Sequence, residues 1–187
     1  MSASNAETLV RDGDGARVRL GHPLSRELTR HVSGVKKKGH RGLEDFDREL
    51  QRYANASPAE QILLTLIADD IASAAVHCRE QRERFDRWRT QAGWPALPEL
   101  EAEEASRFQL QSPLAWQLLG LIVDYDRLLT RIQPYHEARL LPETLYRYYK
   151  SMATRISLVL TLPERLELSE PLPPAEPSPP LIPGLRQ

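Results

Sequence analysis

The sequence predicts a mainly α-helical protein: a helical bundle with a short N-terminal strand-helix-helix unit. Three observations predict it. Leu, Ala, Glu and Arg are abundant while aromatic residues make up 6% of the chain, the usage expected of helices rather than sheets. Apolar residues recur at helical spacing over several long segments. Two of those segments open on a cap-then-proline signal, Ser57-Pro58 and Ser112-Pro113, with serine placed to cap and proline at the first helical position. The length of 187 residues suits one domain with ragged ends. The expected boundaries are a disordered leader at 1–15, one helical domain at 16–168 and a proline-rich tail at 169–187.

Residues 1–15 are small and polar and end in Asp12, Gly13, Asp14 and Gly15, which reads as a disordered leader. Residues 16–42, ARVRLGHPLSRELTRHVSGVKKKGHRG, carry eight Lys/Arg against one acid, a formal charge of +7. With the whole chain at −1, the remainder sums to −8. Such polarisation inside a near-neutral chain points to a polyanionic partner. Arg17 and Arg19 alternate with Val18 and Leu20, so on a strand both guanidinium groups project to one side. Gly21 and Pro23 follow, then a helix to about Ser33 with Leu24, Leu28 and Val32 on one face and Arg26 and Arg30 on another. Gly34 stops it. A basic loop with Lys36, Lys37, Lys38 and Arg41 comes next, and Leu43, Phe46 and Leu50 mark a second helix over 43–56.

Strand, helix, turn and helix with a basic strand face is the order of a ribbon-helix-helix unit, which reads DNA as an intertwined dimer through paired strands. The alternative is an ordinary exposed edge strand whose arginines discourage aggregation, beside a solvated lysine loop.

Ser57, Pro58 and Glu60 form a capping-box start to a long helix without a breaker until Gly93. Ile62, Leu63, Leu66, Ile67, Ile71, Ala74, Ala75 and Cys78 begin its apolar stripe, which Phe85 and Trp88 continue. A helix of that length serves as a scaffold or dimer strut. Residues 107–111, RFQLQ, alternate Phe108 and Leu110 with polar neighbours, a short-strand pattern. The segment 114–132 is the most apolar helix and is expected at the centre of the core, ending before Pro134. Pro142 opens a last helix that Pro163 should stop, packed antiparallel on its predecessor. In 169–187 seven of nineteen residues are proline, which reads as an extended, polyproline-like or disordered tail, more readily an unselected one than a docking segment for a proline-recognising protein partner.

No catalytic constellation stands out, so no enzyme, cofactor or metal is expected. His22, His31 and His40 fall nine residues apart, which matches no helical metal spacing, and there is no CxxC, GxGxxG or Walker loop. Asp124 and Asp126 at i, i+2 diverge on a helix, and one of them should answer an arginine. Cys78, the single cysteine, permits no intramolecular disulfide and reads as a small buried hydrophobe. No apolar run of about 18 residues and no signal-peptide pattern is evident, so a cytoplasmic protein with no membrane association is expected.

Over roughly 17–160 the order of segments resembles the AcaB-like family encoded by conjugative plasmids and integrative conjugative elements. The similar pieces are RVRLGHPLSRELTRHVSG, the glycine-led RGLEDFDREL, the long helix, and Phe108 followed by Ser112-Pro113 and an aromatic. DYDRLL at 124–129, His136 and the Leu140-Leu141 pair complete the likeness. The resemblance implies a transcriptional activator of transfer genes with a ribbon-helix-helix-like DNA-binding part. Arg17 and Arg19 would then face DNA and the long helices would serve dimerisation or partner contact.

The expected function is therefore a dimeric, double-stranded-DNA-binding regulator of conjugative transfer. Its contacts would come from Arg17, Arg19, Arg26, Arg30, Lys36, Lys37, Lys38 and Arg41. The rival is a non-enzymatic helical accessory or interaction protein of the same kind of system, whose basic stretch meets an acidic protein surface.

Overall fold

A computed structural model describes residues 9–12, 15–29, 42–53, 55–100 and 105–167. Among these residues the fold is mainly α, with five helices and one small sheet. Strands β1 (Leu9–Asp12), β2 (Gly15–Arg19) and β3 (Ala105–Gln109) form an antiparallel sheet in the order β1-β2-β3. The helices are α1 (Pro23–Thr29), α2 (Leu43–Gln51), α3 (Pro58–Gln91), α4 (Pro113–Glu137) and α5 (Glu143–Glu167).

The sheet corrects two expectations. Leu9–Asp12, placed by its polar surroundings in a disordered leader, is a strand, because Leu9 and Val10 pair with Val18 and Arg17 of β2. More consequentially, β2 is the central strand. Its two edges are occupied by β1 and β3 of the same chain, so it has no free N–H or C=O row with which to pair a second copy. The intertwined ribbon of a ribbon-helix-helix dimer is therefore closed to β2.

Helix α4 is the hub, touching α1, α2, α3 and α5. Leu118, Leu119, Leu121, Ile122, Tyr125, Leu128, Leu129 and Ile132 are all buried along it. The ion pairs Arg79–Asp124 (3.7 Å) and Asp86–Arg131 (2.8 Å) advance along α3 and α4 in the same direction, so these helices run parallel. The last two helices are antiparallel, as expected: the Tyr125 hydroxyl donates to the Lys150 carbonyl at 3.0 Å, and His136 Nε2 lies 3.2 Å from Glu143.

Both cap signals act. Ser57 and Glu60 form a reciprocal capping box at the start of α3, and the Ser112 hydroxyl accepts from the Leu114 N–H at 3.2 Å. Helix α3 ends in a Schellman turn, with Gly93 at φ 66° and the Trp94 N–H reaching the Arg89 carbonyl at 3.1 Å.

The proline stops do not hold. Pro134 lies inside α4, where a proline leaves the carbonyl four residues back without its N–H partner. That carbonyl, Thr130 O, accepts instead from the Leu100 N–H at 3.4 Å, so the helix continues to a second Schellman turn with Arg139 at φ 57°. Likewise α5 runs through Pro163 to Glu167.

The expectation that no segment is apolar enough to span a membrane is corrected for α3. One of its 18-residue windows has a mean hydropathy of 1.3 and is only 22% buried. That half of α3 carries Asp69 and Asp70, and Asp70 pairs with Arg155 of α5. Ile67, Ile71, Ala74, Cys78 and Phe85 form its buried stripe, while Ile62, Leu63 and Leu66 stay exposed.

Candidate nucleic-acid interface

The alternation read from the sequence is realised on β2. Ala16 and Val18 are buried against the helices, with Leu20 just beyond the strand, while Arg17 and Arg19 stand on the opposite, exposed face. On β3, Phe108 is buried and Arg107 is exposed. The register sets Arg107 directly opposite Arg17, and half-exposed Val10 opposite Arg17 on the other side. Directly opposed residues in a sheet lie about 5 Å apart at Cα, and Arg19 is about 7 Å further along the strand. Like charges placed opposite each other destabilise a sheet. Among the described residues none of the three arginines has an acidic partner. An arginine triangle of this kind is a ready site for phosphate.

Arg107 was missed by sequence reasoning because its neighbours in the chain are not basic. Only the β2–β3 register reveals it. Of the other expected contacts, Arg26 is half-buried on α1, where its charge acts on His22 and Asp126. Arg30, Lys36, Lys37, Lys38 and Arg41 lie outside the described residues, as does the tail at 169–187.

Two buried aspartates fix this sheet to the helices. Where β2 leaves for α1, the Asp126 carboxylate of α4 accepts the Gly21 N–H at 3.0 Å and the His22 N–H at 2.8 Å. Where β3 leaves for α4, Asp47 of α2 accepts the Gln111 N–H at 3.1 Å and the Ser112 N–H at 2.7 Å. Each clamp satisfies two consecutive backbone donors at a strand-to-helix junction, and at Gly21 and His22 burial would otherwise leave them unpaired. Burial holds the Asp126 carboxyl above the usual carboxylate range, and the two N–H bonds only partly offset that. The acid that answers arginines is Asp124, between Arg79 and Arg127.

His22 completes the junction. Its Nδ1 accepts from the Leu24 N–H at 3.1 Å, and its Nε2 lies 3.3 Å from the Tyr146 hydroxyl. An accepting Nδ1 requires the neutral ring. Accordingly burial, followed by the positive charges of Lys150 and Arg26, brings its pKa down to about 4. Cys78 is fully buried, and burial pushes its thiol up to about 12, which keeps it protonated and unreactive.

No family model and no curated protein matches the chain. Among solved structures, it is similar to selenomethionine-containing AcaB from uropathogenic E. coli. The match covers 81% of this chain and 76% of that one, with a TM-score of 0.55 and 12% identity. At that identity the likeness is one of fold, and the chain shares a distant, AcaB-like architecture.

Proposed function

We propose that the protein is a non-enzymatic, double-stranded-DNA-binding regulator of conjugative transfer genes on a mobile element. The observation that carries the DNA-binding half is the sheet face on which Arg17, Arg19 and Arg107 converge without acidic partners among the described residues. The conjugative setting is supported by the resemblance of segments to the AcaB-like family and by the fold shared with AcaB. Contact is made through the outer face of the sheet, not through an intermolecular ribbon. A homodimer, brought together away from β2, would present two such faces to one duplex.

The test is binding to fragments upstream of neighbouring genes at several salt concentrations, with a scrambled control. Each phosphate contact removed should flatten the plot of log K against log salt by about 0.9. Arg107→Ala should therefore act like Arg17→Ala, and the triple variant should flatten the slope by about 2.7 per protomer. Equal slopes for wild type and triple variant would refute the reading.

The exposed Ile62, Leu63 and Leu66 on α3 favour the second reading, an accessory protein with a protein partner. Under it, Leu66→Glu disrupts a complex while DNA binding is absent in the wild type.

A further inference from the structure

Outside the sheet, α3 and α5 enclose a groove of about 600 Å³ with an unusual lining. Trp88 and Phe85 come from α3, and Leu145, Tyr148 and Tyr149 from α5. Phe85 and Tyr149 are buried at its base, while Tyr148 is 50% exposed, Leu145 39% and Trp88 half-buried, so Tyr148 and Trp88 are the rings that face solvent. Arg84 and Arg87 flank it, both exposed and neither with an ion-pair partner among the described residues. Aromatic-lined grooves of this kind are the receptors of polyproline II segments, whose rigid form loses little entropy on docking.

The same sequence supplies a matching ligand. Pro171, Pro174, Pro177, Pro180 and Pro183 recur at every third position. A polyproline II helix has three residues per turn, so in that form all five prolines share one edge. Between them stands Glu176, with Glu170 just before, and the segment 170–185 contains no basic residue. Its charge is complementary to Arg84 and Arg87.

Reach permits the encounter within one chain. Helix α5 ends at Glu167, and Tyr149 lies 18 residues earlier, about 27 Å back along the helix. As polyproline II the nine residues 168–176 span about 28 Å, which brings Glu176 back to the level of Tyr149 and leaves 177–183 to cross the groove.

We propose that the groove between α3 and α5 binds the chain's own segment 176–183 as a polyproline II helix, with Pro177, Pro180 and Pro183 against its aromatic side and Arg84 and Arg87 meeting Glu176. The docking is intramolecular, and it makes the segment a competitor for any proline-rich ligand of the groove.

The test titrates a fluorescein-labelled peptide of residues 168–187 against two full-length proteins, read by anisotropy. One is wild type. The other carries Pro171→Ser, Pro174→Ser, Pro177→Ser, Pro180→Ser and Pro183→Ser, which empties the groove. The emptied protein should bind the peptide about tenfold or more tighter than wild type, since its internal competitor is gone. In that background Tyr148→Ala should weaken binding about tenfold while Tyr148→Phe retains it. A Glu176→Lys peptide should bind poorly and recover on the Arg84→Glu/Arg87→Glu protein. Absence of saturable binding to the emptied protein overturns the proposal, as does binding indifferent to Tyr148→Ala and to charge reversal. Equal affinity of both proteins overturns the intramolecular docking.

Discussion

Asp126→Asn tests the view that buried aspartates hold the arginine sheet in place. The carboxylate accepts two backbone N–H groups at 2.8 and 3.0 Å while 3% exposed. Hydrogen bonds to a charged acceptor contribute about 1.5–3 kcal/mol each, so the pair is worth roughly 3–6 kcal/mol before the cost of burying the charge. Asparagine keeps one acceptor and turns an NH2 toward the other donor, and it removes the desolvation that burial imposes on the carboxylate. The net loss should be about 2–4 kcal/mol. With a urea m-value of about 2 kcal/mol/M, the unfolding midpoint should fall by about 1–2 M at unchanged m. Far-UV circular dichroism reads this directly. Asp47→Asn should behave alike, because it clamps Gln111 and Ser112 in the same manner. The two losses should add within about 0.5 kcal/mol, since the residues share no partner. A midpoint shift below about 0.5 M for Asp126→Asn, or a changed m, would refute the clamp.

His22 makes stability depend on pH. Its folded pKa, about 4, lies below its unfolded value of 6.5, so between these the unfolded chain binds more protons and stability rises with pH. Acidification from about 6.5 to 4 should cost up to roughly 3 kcal/mol, and urea titrations of His22→Asn should lose most of that slope while retaining a cap for Leu24. Gly93→Ala should destabilise by about 1 kcal/mol in thermal melts. At φ 66°, with open space around the added methyl, only backbone strain opposes it, and a neutral result would contradict the Schellman assignment. The Cys78 thiol, buried and raised to about 12, should resist Ellman's reagent in the native protein and react promptly in denaturant. Fast native labelling would show that α3 opens.

What the sequence determined is what neighbours in the chain decide between themselves. Ser57, Pro58 and Glu60 satisfy one helix start within four residues, and Ser112 with Pro113 another. The stripe of Leu43, Phe46 and Leu50 has only one buried face to choose. Arg17 and Arg19 share a side because strand side chains alternate. Whether β2 is an edge or a centre is not written in its own residues. That depends on β3, which arrives some 90 residues later and brings Arg107 opposite Arg17. The same holds for Asp126, whose partners Gly21 and His22 lie 105 and 104 residues away. It holds for Pro134 too, which reads as a stop until the Leu100 N–H takes up the Thr130 carbonyl it frees. Spacing along the chain fixes which groups share a face. Only the closed fold decides which distant donor, acceptor or charge that face meets, because hydrogen bonds and cross-strand pairs form between positions whose separation in sequence carries no period.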